Sequence, residues 1–157
     1  MKTSLRLRQF RPEDTPILID LFKDTVRRVN SRDYTPEQVR AWAPDEVDPA
    51  RWAVLIDRHT VVAEADDRVV GFTDLESDGH IDRFFVHADF QGQGVGRAML
   101  TEVVAEAVRL GVYRLYAEVS ITARPFFGRH GFALVAEQKV TVRGVPMANY
   151  RMERRCW

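Results

Sequence analysis

Between residues 92 and 96 every second residue is a glycine, and this loop restricts the fold more than any other stretch of the chain. Glycines let the backbone turn sharply and let a ligand approach it closely. The preceding run from His80 to Val86 is rich in apolar, aromatic and β-branched residues, which predicts a buried strand. The following run from Arg97 to Leu110 has apolar residues at helical spacing, and Gly111 is a plausible stop. Residues 80–111 are therefore predicted to fold as strand, tight loop and helix.

A glycine loop that leads into a helix can bind phosphate. The first N–H groups of a helix lack internal partners and carry partial positive charge, so they form a nest for phosphate oxygens. We therefore predict a pyrophosphate site made by the backbone from Gly92 to Arg97, with a glycine-rich turn that binds nothing as the alternative. A Walker P-loop is not matched, because Val95-Gly96-Arg97 does not end in Gly-Lys-Ser/Thr. A dinucleotide loop has its third glycine one residue later, although Glu118 stands near the expected acidic position.

The segments around the loop predict an α/β fold of the α+β kind: a mixed, mostly antiparallel sheet of about seven strands with helices on both faces. Short turns connect the three strands up to Val86 into an antiparallel meander, which argues against the dinucleotide fold and its parallel strands. Because the strand that starts at Tyr113 follows a helix, it should run parallel to the strand before the loop. The other expected strands are Ser4–Phe10, Thr60–Ala65, Val69–Leu75, Phe132–Val142 and Pro146–Glu153. The other expected helices run from Pro12 or Asp14 to about Asn30, from Thr35 to Trp42, from Asp48-Pro49 onward, and from a cap at Ser120 or Thr122 to His130.

Length and composition fit one globular domain over residues 1–157. The formal net charge of zero argues against a dedicated nucleic-acid binder. The single cysteine, Cys156, excludes an internal disulfide and favours a reducing compartment. No apolar run reaches the roughly 18 residues of a membrane span, and the first residues lack a signal-peptide pattern, so a cytoplasmic location with no membrane partner is expected.

Two motifs resemble the GNAT N-acetyltransferase superfamily. Gln91-x-x-Gly94-x-Gly96, after a strand that ends in Phe85-Val86, is similar to the acyl-CoA motif of that family. Downstream, the run from Ala123 to Phe132 is similar to the family's Ala-x-x-Phe-Tyr-x-x-x-Gly-Phe pattern. The resemblance covers roughly residues 60 to 153. A group of uncharacterised acetyltransferases looks closer still, through Tyr34, Trp42-Ala43-Pro44 and the run Ser120 to Arg124.

The resemblance implies a GNAT-like fold that binds acetyl-CoA as co-substrate. The main chain of Phe85 and Val86 would pair with the pantetheine arm, Ser120 stands where the family often has an asparagine that contacts CoA, and Arg124 would reach the phosphates. Phe127 stands where the family has a tyrosine that protonates the leaving thiolate, and a phenyl ring cannot donate a proton. Phe127 is then expected to pack along the pantetheine. The residues expected to bind the pyrophosphate are Gln91, Gly92, Gln93, Gly94, Val95, Gly96 and Arg97.

The base that deprotonates the acceptor is expected near the start of the strand before the loop. His80 and Asp82 are two residues apart and so share one face of that strand, with Glu118 and Glu76 as weaker candidates. Tyr34 and Trp42 lie in the region that shapes the acceptor pocket in the family, as substrate-contacting aromatics or as ordinary core residues. The histidines do not form a metal-ligand pattern with cysteine or acid, so no metal is expected.

These residues predict an N-acetyltransferase that moves an acetyl group from acetyl-CoA to a primary amine of a small molecule or peptide by direct attack. The alternative is an acyl-CoA-binding sensor with little catalysis, suggested by Phe127 at the acid position. A nicotinamide-dinucleotide enzyme, suggested by the glycines and Glu118, is the third reading. Because family members are often dimers, a homodimer through the final strands is also consistent with the resemblance.

Overall fold

The computed structural model describes residues 4–157 as seven strands and four α-helices, with short 3₁₀ segments between them. The strands are β1 Leu5–Gln9, β2 His59–Ala65, β3 Arg68–Leu75, β4 Ile81–Val86, β5 Arg114–Ser120, β6 Ala133–Val142 and β7 Val145–Arg155. The helices are α1 Thr15–Arg28, α2 Pro36–Trp42, α3 Val95–Arg109 and α4 Arg124–Arg129.

The strands form two antiparallel sheets. The first has the order β1-β2-β3-β4 and the second has the order β5-β7-β6. A single parallel bridge between His80 and Tyr116 joins the start of β4 to β5 within the described chain. The prediction of a mostly antiparallel arrangement with about seven strands is confirmed, and the bridge has the expected parallel direction. The antiparallel course of β2, β3 and β4 contradicts the dinucleotide reading, which requires parallel strands.

Gly79 holds the two sheets together at the point from which they diverge. Its carbonyl accepts a hydrogen bond of 3.0 Å from the amide of Tyr116. Its φ of 101° lies in the left-handed region, and an added Cβ would stand 2.1 Å from the carbonyl oxygen of Arg114. Only glycine allows this close approach of two backbones. Beyond this contact β4 and β5 separate, and the gap between them becomes the site.

Helices cover both faces of the first sheet, as predicted. On one face α1 packs Leu18 and Phe22 against Val62 and Phe72 of the sheet. On the other face α3 packs Met99 and Val95 against the small residues of β2 and the start of β3. The apolar spacing that predicted these two helices is therefore the spacing of the residues that reach the core.

Most strand ends lie within one or two residues of the sequence prediction, and two helical segments differ from it. Helix α3 begins at Val95 rather than Arg97, because Gly94 takes the left-handed conformation at the helix start and Gly96 already lies inside the first turn. The segment Pro49–Asp57 is a 3₁₀ helix that buries Trp52 and Leu55. None of the helices among residues 4–157 has the length and apolar character that crossing a bilayer requires.

Candidate active site

A cavity of about 1000 Å³ opens where β4 and β5 diverge. One end, which we name the loop half, is lined by parts of residues 91–97 and 120–130. The other end, which we name the helix half, is lined by parts of residues 22–52 and 140–149. The ends of β4 and β5 lie between the two halves, so a single cavity can hold two reactants side by side.

The loop half contains the backbone that the glycine pattern predicted. Gly92 and Gly94 have φ values of 70° and 87°, in the left-handed region that glycine tolerates. The first helical hydrogen bond of α3 runs from the amide of Ala98 to the carbonyl of Gly94, at 3.0 Å. The amides of residues 95–97 therefore have no partner inside the helix. Of the seven predicted loop residues only Gln93 does not line the cavity, since its side chain turns back to the carbonyl of Asp89.

The open edge of β4 is formed by the main chain of Phe84 and Val86. The carbonyl of Val86 accepts hydrogen bonds from Gln91 at 2.7 Å and from Thr25 at 3.1 Å, away from β3. The Phe85 carbonyl points the other way and lies against Gly71 of β3. Because alternate residues of an antiparallel strand direct their main-chain groups to opposite sides, Phe84 shares the open edge with Val86. The side chain of Phe85, rather than its main chain, is what lines the helix half.

Positive charge collects in the loop half. Arg97 and Arg129 line the cavity there, next to His130. Burial, followed by the charges of Arg129 and Arg97, lowers the pKa of His130. Arg124, which the sequence suggested for the phosphates, instead stacks over the ring of Tyr150 at 4.4 Å and does not line the cavity. The sequence did not single out Arg129, the last residue of α4, or His130, which follows it, because only the packing of that helix brings them to the site.

Ser120 lies at the end of β5, and its hydroxyl oxygen is already in use. It accepts hydrogen bonds from the amide of Ala123 at 3.0 Å and from the side chain of Asn30 at 3.3 Å. Two further polar atoms beside it, Thr122 Oγ1 and Asn149 Oδ1, are buried without a hydrogen-bond partner among the described residues, and both residues line the cavity. A buried polar atom without a partner is costly, so these two atoms are suited to bind a ligand.

Phe127 provides no proton donor at the cavity wall. It is 3% exposed and packs edge-on against Phe84 at 5.2 Å and Phe132 at 5.0 Å. The neighbouring Phe126 lies over Gly96, where an added Cβ would approach its ring to 3.1 Å. These rings fix α4 against the first turn of α3, which makes Phe127 part of the wall of the loop half.

Asp82 lines the cavity and belongs to a charged cluster around Arg58. The Arg58 guanidinium lies 2.6 Å from Asp82, 2.7 Å from Asp74 and 2.8 Å from Glu76. Asp74 is fully buried; burial raises its pKa, and the hydrogen bond from Arg58 opposes that rise. Arg83 also contacts both aspartates, at 3.3 and 3.4 Å. The cluster holds Asp82 at the point where β4 and β5 diverge, which we name the split, with 37% of the Asp82 side chain still exposed.

His80 is bound between two carboxylates and does not line the cavity. Its Nε2 lies 2.6 Å from Glu118, its Nδ1 contacts Glu76, and its ring stacks on Tyr116 at 4.9 Å. Burial alone would lower the pKa of His80, but the hydrogen bonds to Glu118 and Glu76 outweigh it and raise that pKa. Glu118, in contrast, does line the cavity. The structure thus brings Asp82 and Glu118 to the split and places His80 behind Glu118.

Tyr34 and Trp42 both line the helix half. The Tyr34 hydroxyl donates to the carbonyl of Ala148 at 2.7 Å and accepts from the amide of Ile121 at 3.0 Å, so it connects β7 to the end of β5. Burial raises the pKa of this phenol. Trp42 packs edge-on against Tyr34 at 5.5 Å and remains partly exposed. The two aromatics therefore differ: the polar end of Tyr34 supports the backbone, while Trp42 presents its ring to the cavity.

Across residues 4–157 no group of three or more His, Cys, Asp and Glu side chains is arranged to hold a metal ion.

Comparisons with known proteins give a consistent result. Residues 30–154 match the family model described as an acetyltransferase (GNAT) domain. The chain is 33% identical over 150 residues, 95% of each chain, to the uncharacterized N-acetyltransferase YafP of Escherichia coli K12.

Solved structures agree with the fold. A GCN5-related N-acetyltransferase from Rhodopseudomonas palustris superposes with a TM-score of 0.93 at 29% identity, covering 99% of this chain and 98% of the other. YncA of Salmonella typhimurium, an acetyltransferase solved with its cofactor acetyl-CoA, superposes with a TM-score of 0.70 at 20% identity, covering 98% and 94%. The resemblance inferred from the two motifs is confirmed.

Proposed function

This chain belongs to the GNAT acetyltransferase family, and we propose that it moves the acetyl group of acetyl-CoA to a primary amine of a small molecule or peptide by direct attack. The observation that carries the proposal is the start of α3. Two glycines in left-handed conformations leave the amides of residues 95–97 without partners inside the helix, at the end of the cavity that Arg97 and Arg129 make positive. This arrangement suits the diphosphate of CoA.

The shape of the cavity supports a complex in which both substrates are bound at once. With the diphosphate in the loop half, the pantetheine would run along the open edge of β4, where the main chain of Phe84 and the amide of Val86 face it. The thioester would then lie at the split, and the amine would approach from the helix half. Holding both reactants in one cavity accelerates transfer by orientation alone.

A base is needed because an amine with a pKa near 10.4 is protonated at neutral pH. We propose that the proton leaves through a carboxylate exposed at the split, Asp82 or Glu118, rather than through His80. Both carboxylates line the cavity, whereas both nitrogens of His80 are bound to carboxylates, which favours the charged imidazolium. An imidazolium cannot accept a proton, so His80 would position Glu118 instead.

Thiol release from acetyl-CoA with a panel of primary amines tests this proposal. We expect turnover, and we expect Asp82→Asn or Glu118→Gln to lower kcat by about 100-fold or more, as removal of a general base does. His80→Gln should lower kcat less and should change its pH profile. Glu137→Gln on the exposed strand β6 is the matched control and should leave kcat unchanged. Full activity in both carboxylate variants would refute the assignment of the base.

The buried phenyl ring of Phe127 favours one second candidate, an acyl-CoA sensor with little catalysis. A thiol with a pKa near 8.5 is a tolerable leaving group without an acid, so loss of the tyrosine need not abolish transfer. Tight binding of CoA with no turnover on any amine would favour the sensor.

We also propose that the protein acts in the cytoplasm, in keeping with its single cysteine, and that it forms a homodimer. The edge strand β6 exposes Leu134 and Val135, which suits a contact between the final strands of two copies. Sedimentation equilibrium of the parent and of a Val135→Lys variant tests the dimer: the parent should sediment as a dimer and the variant as a monomer.

A further inference from the structure

The helix half of the cavity has a wall of aromatic rings. Phe22 lies 5.5 Å from Trp52 and 5.1 Å from Phe85, and Trp42 lies 6.3 Å from Phe85. These rings come from α1, α2, the segment 49–57 and β4, and all four residues line the cavity. Ring pairs at such separations stabilise one another and form a continuous apolar surface.

Only two of these four rings remain accessible to a ligand. Phe22 and Trp52 are not among them: they are 8% and 5% exposed, and the guanidinium of Arg83 covers Trp52 at 4.7 Å. Trp42 and Phe85 are only partly buried, although they pack against this cluster. Large rings that stay partly exposed inside a cavity are the usual contact surfaces of apolar ligands.

The charges of the helix half do not suit a polycation. Asp82 and Glu118, the carboxylates at the split, are paired with Arg58 and His80. Farther out, the carboxylates of Glu46 and Asp48 line the cavity, but so do two arginines, Arg51 and Arg143, so the charges there balance. An acceptor with several ammonium groups would therefore meet little net negative charge.

We propose, building on the acetyltransferase function above, that the acceptor is a monoamine whose short apolar arm ends in an aromatic ring. The ring lies against Trp42 and Phe85, and the amino group points toward the split, where Asp82 and Glu118 face the cavity. Desolvation of the ring against these side chains supplies most of the selectivity, because apolar burial scales with the area removed from water. The same contacts orient the amine toward the thioester.

The test compares 2-phenylethylamine and tryptamine with n-butylamine and putrescine. Thiol release at low amine concentration measures kcat/KM, and calorimetry on the CoA-loaded protein measures binding without turnover. The kcat/KM and the association constant of the ring-bearing amines should each exceed those of n-butylamine by about tenfold or more. Trp42→Leu and Phe85→Leu each replace a ring by a smaller side chain that is still apolar; each should lower kcat/KM for 2-phenylethylamine by about tenfold while changing that for n-butylamine by less than about threefold.

Trp157→Ala is the control, because this tryptophan is exposed, packs on Tyr113 and does not line the cavity. Trp157→Ala should leave kcat/KM and binding unchanged for every amine. Equal or better use of the ringless amines would overturn the proposal while leaving the acetyltransferase function standing. If CoA binds and no amine is acetylated, the acetyltransferase function is wrong, and calorimetry still tests the aromatic pocket. The pocket proposal is overturned if 2-phenylethylamine binds the parent protein no more tightly than it binds the Trp42→Leu protein.

Discussion

Replacing Gly94 by alanine tests the phosphate site most directly. Gly94 precedes α3 with φ 87° and ψ 3°, and an added Cβ would meet no protein atom within 4 Å. The substitution therefore creates no clash inside the protein. It changes only the conformational preference of the residue that directs the amides of 95–97 into the cavity.

The size of the effect follows from the left-handed conformation. An L-residue in this conformation is destabilised by about 1–2 kcal/mol. If the free variant relaxes to negative φ, the amides turn away, and CoA must restore the strained conformation when it binds. The same 1–2 kcal/mol then weakens CoA binding by about 5- to 30-fold, at 1.4 kcal/mol per factor of ten.

Gly111→Ala is the matched control. Gly111 follows α3 with φ 73°, has equally open space around its Cα and does not line the cavity. Gly111→Ala should lose about 1–2 kcal/mol of stability, or about 2–8 °C in Tm for a chain of this length, and should keep its affinity for CoA, whereas Gly94→Ala, which relaxes in the free protein, should lose less stability but should lose affinity for CoA in calorimetry. Unchanged CoA affinity in a folded Gly94→Ala protein would refute the role of the helix start. An equal loss in Gly111→Ala would show that the effect is global.

Three further predictions follow from the contacts of the site. Because the pKa of His80 is raised in the folded protein, protonation of its ring stabilises the fold, fully so below its ordinary pKa of 6.5. This stabilisation is lost as pH rises through the folded-state pKa. The free energy of urea unfolding should therefore fall less over that pH range in His80→Gln than in the parent. Gly79→Ala should lose about 3 kcal/mol in the same assay because its Cβ meets a carbonyl at 2.1 Å, whereas Gly144→Ala, left-handed with open space, should lose about 1–2 kcal/mol; equal losses would contradict the close approach. The pKa of His130 should rise when CoA binds, because the phosphates offset the charges of the neighbouring arginines; an NMR titration that finds no rise would place the phosphates elsewhere.

Much of the fold could be predicted because the relevant signals are local. Apolar spacing located α1 and α3, and turn residues separated β2, β3 and β4. Where two local signals competed, the prediction was less accurate. Glycine at position 96 suggested that the loop continued to that residue, yet the left-handed Gly94 starts α3 earlier, and Gly96 lies in its first turn beneath Phe126.

The sequence by itself therefore determined the order of strands and helices and the glycine loop, since both depend on residues close together in the chain. Only the tertiary structure decided that Phe84 rather than Phe85 directs its main chain to the split, because that depends on the register of β4 with β3. It also decided that His80 binds Glu118, 38 residues away, and that Arg129 rather than Arg124 reaches the cavity. Such contacts arise from the packing of two sheets that meet at Gly79 and then diverge, and no local pattern contains that geometry.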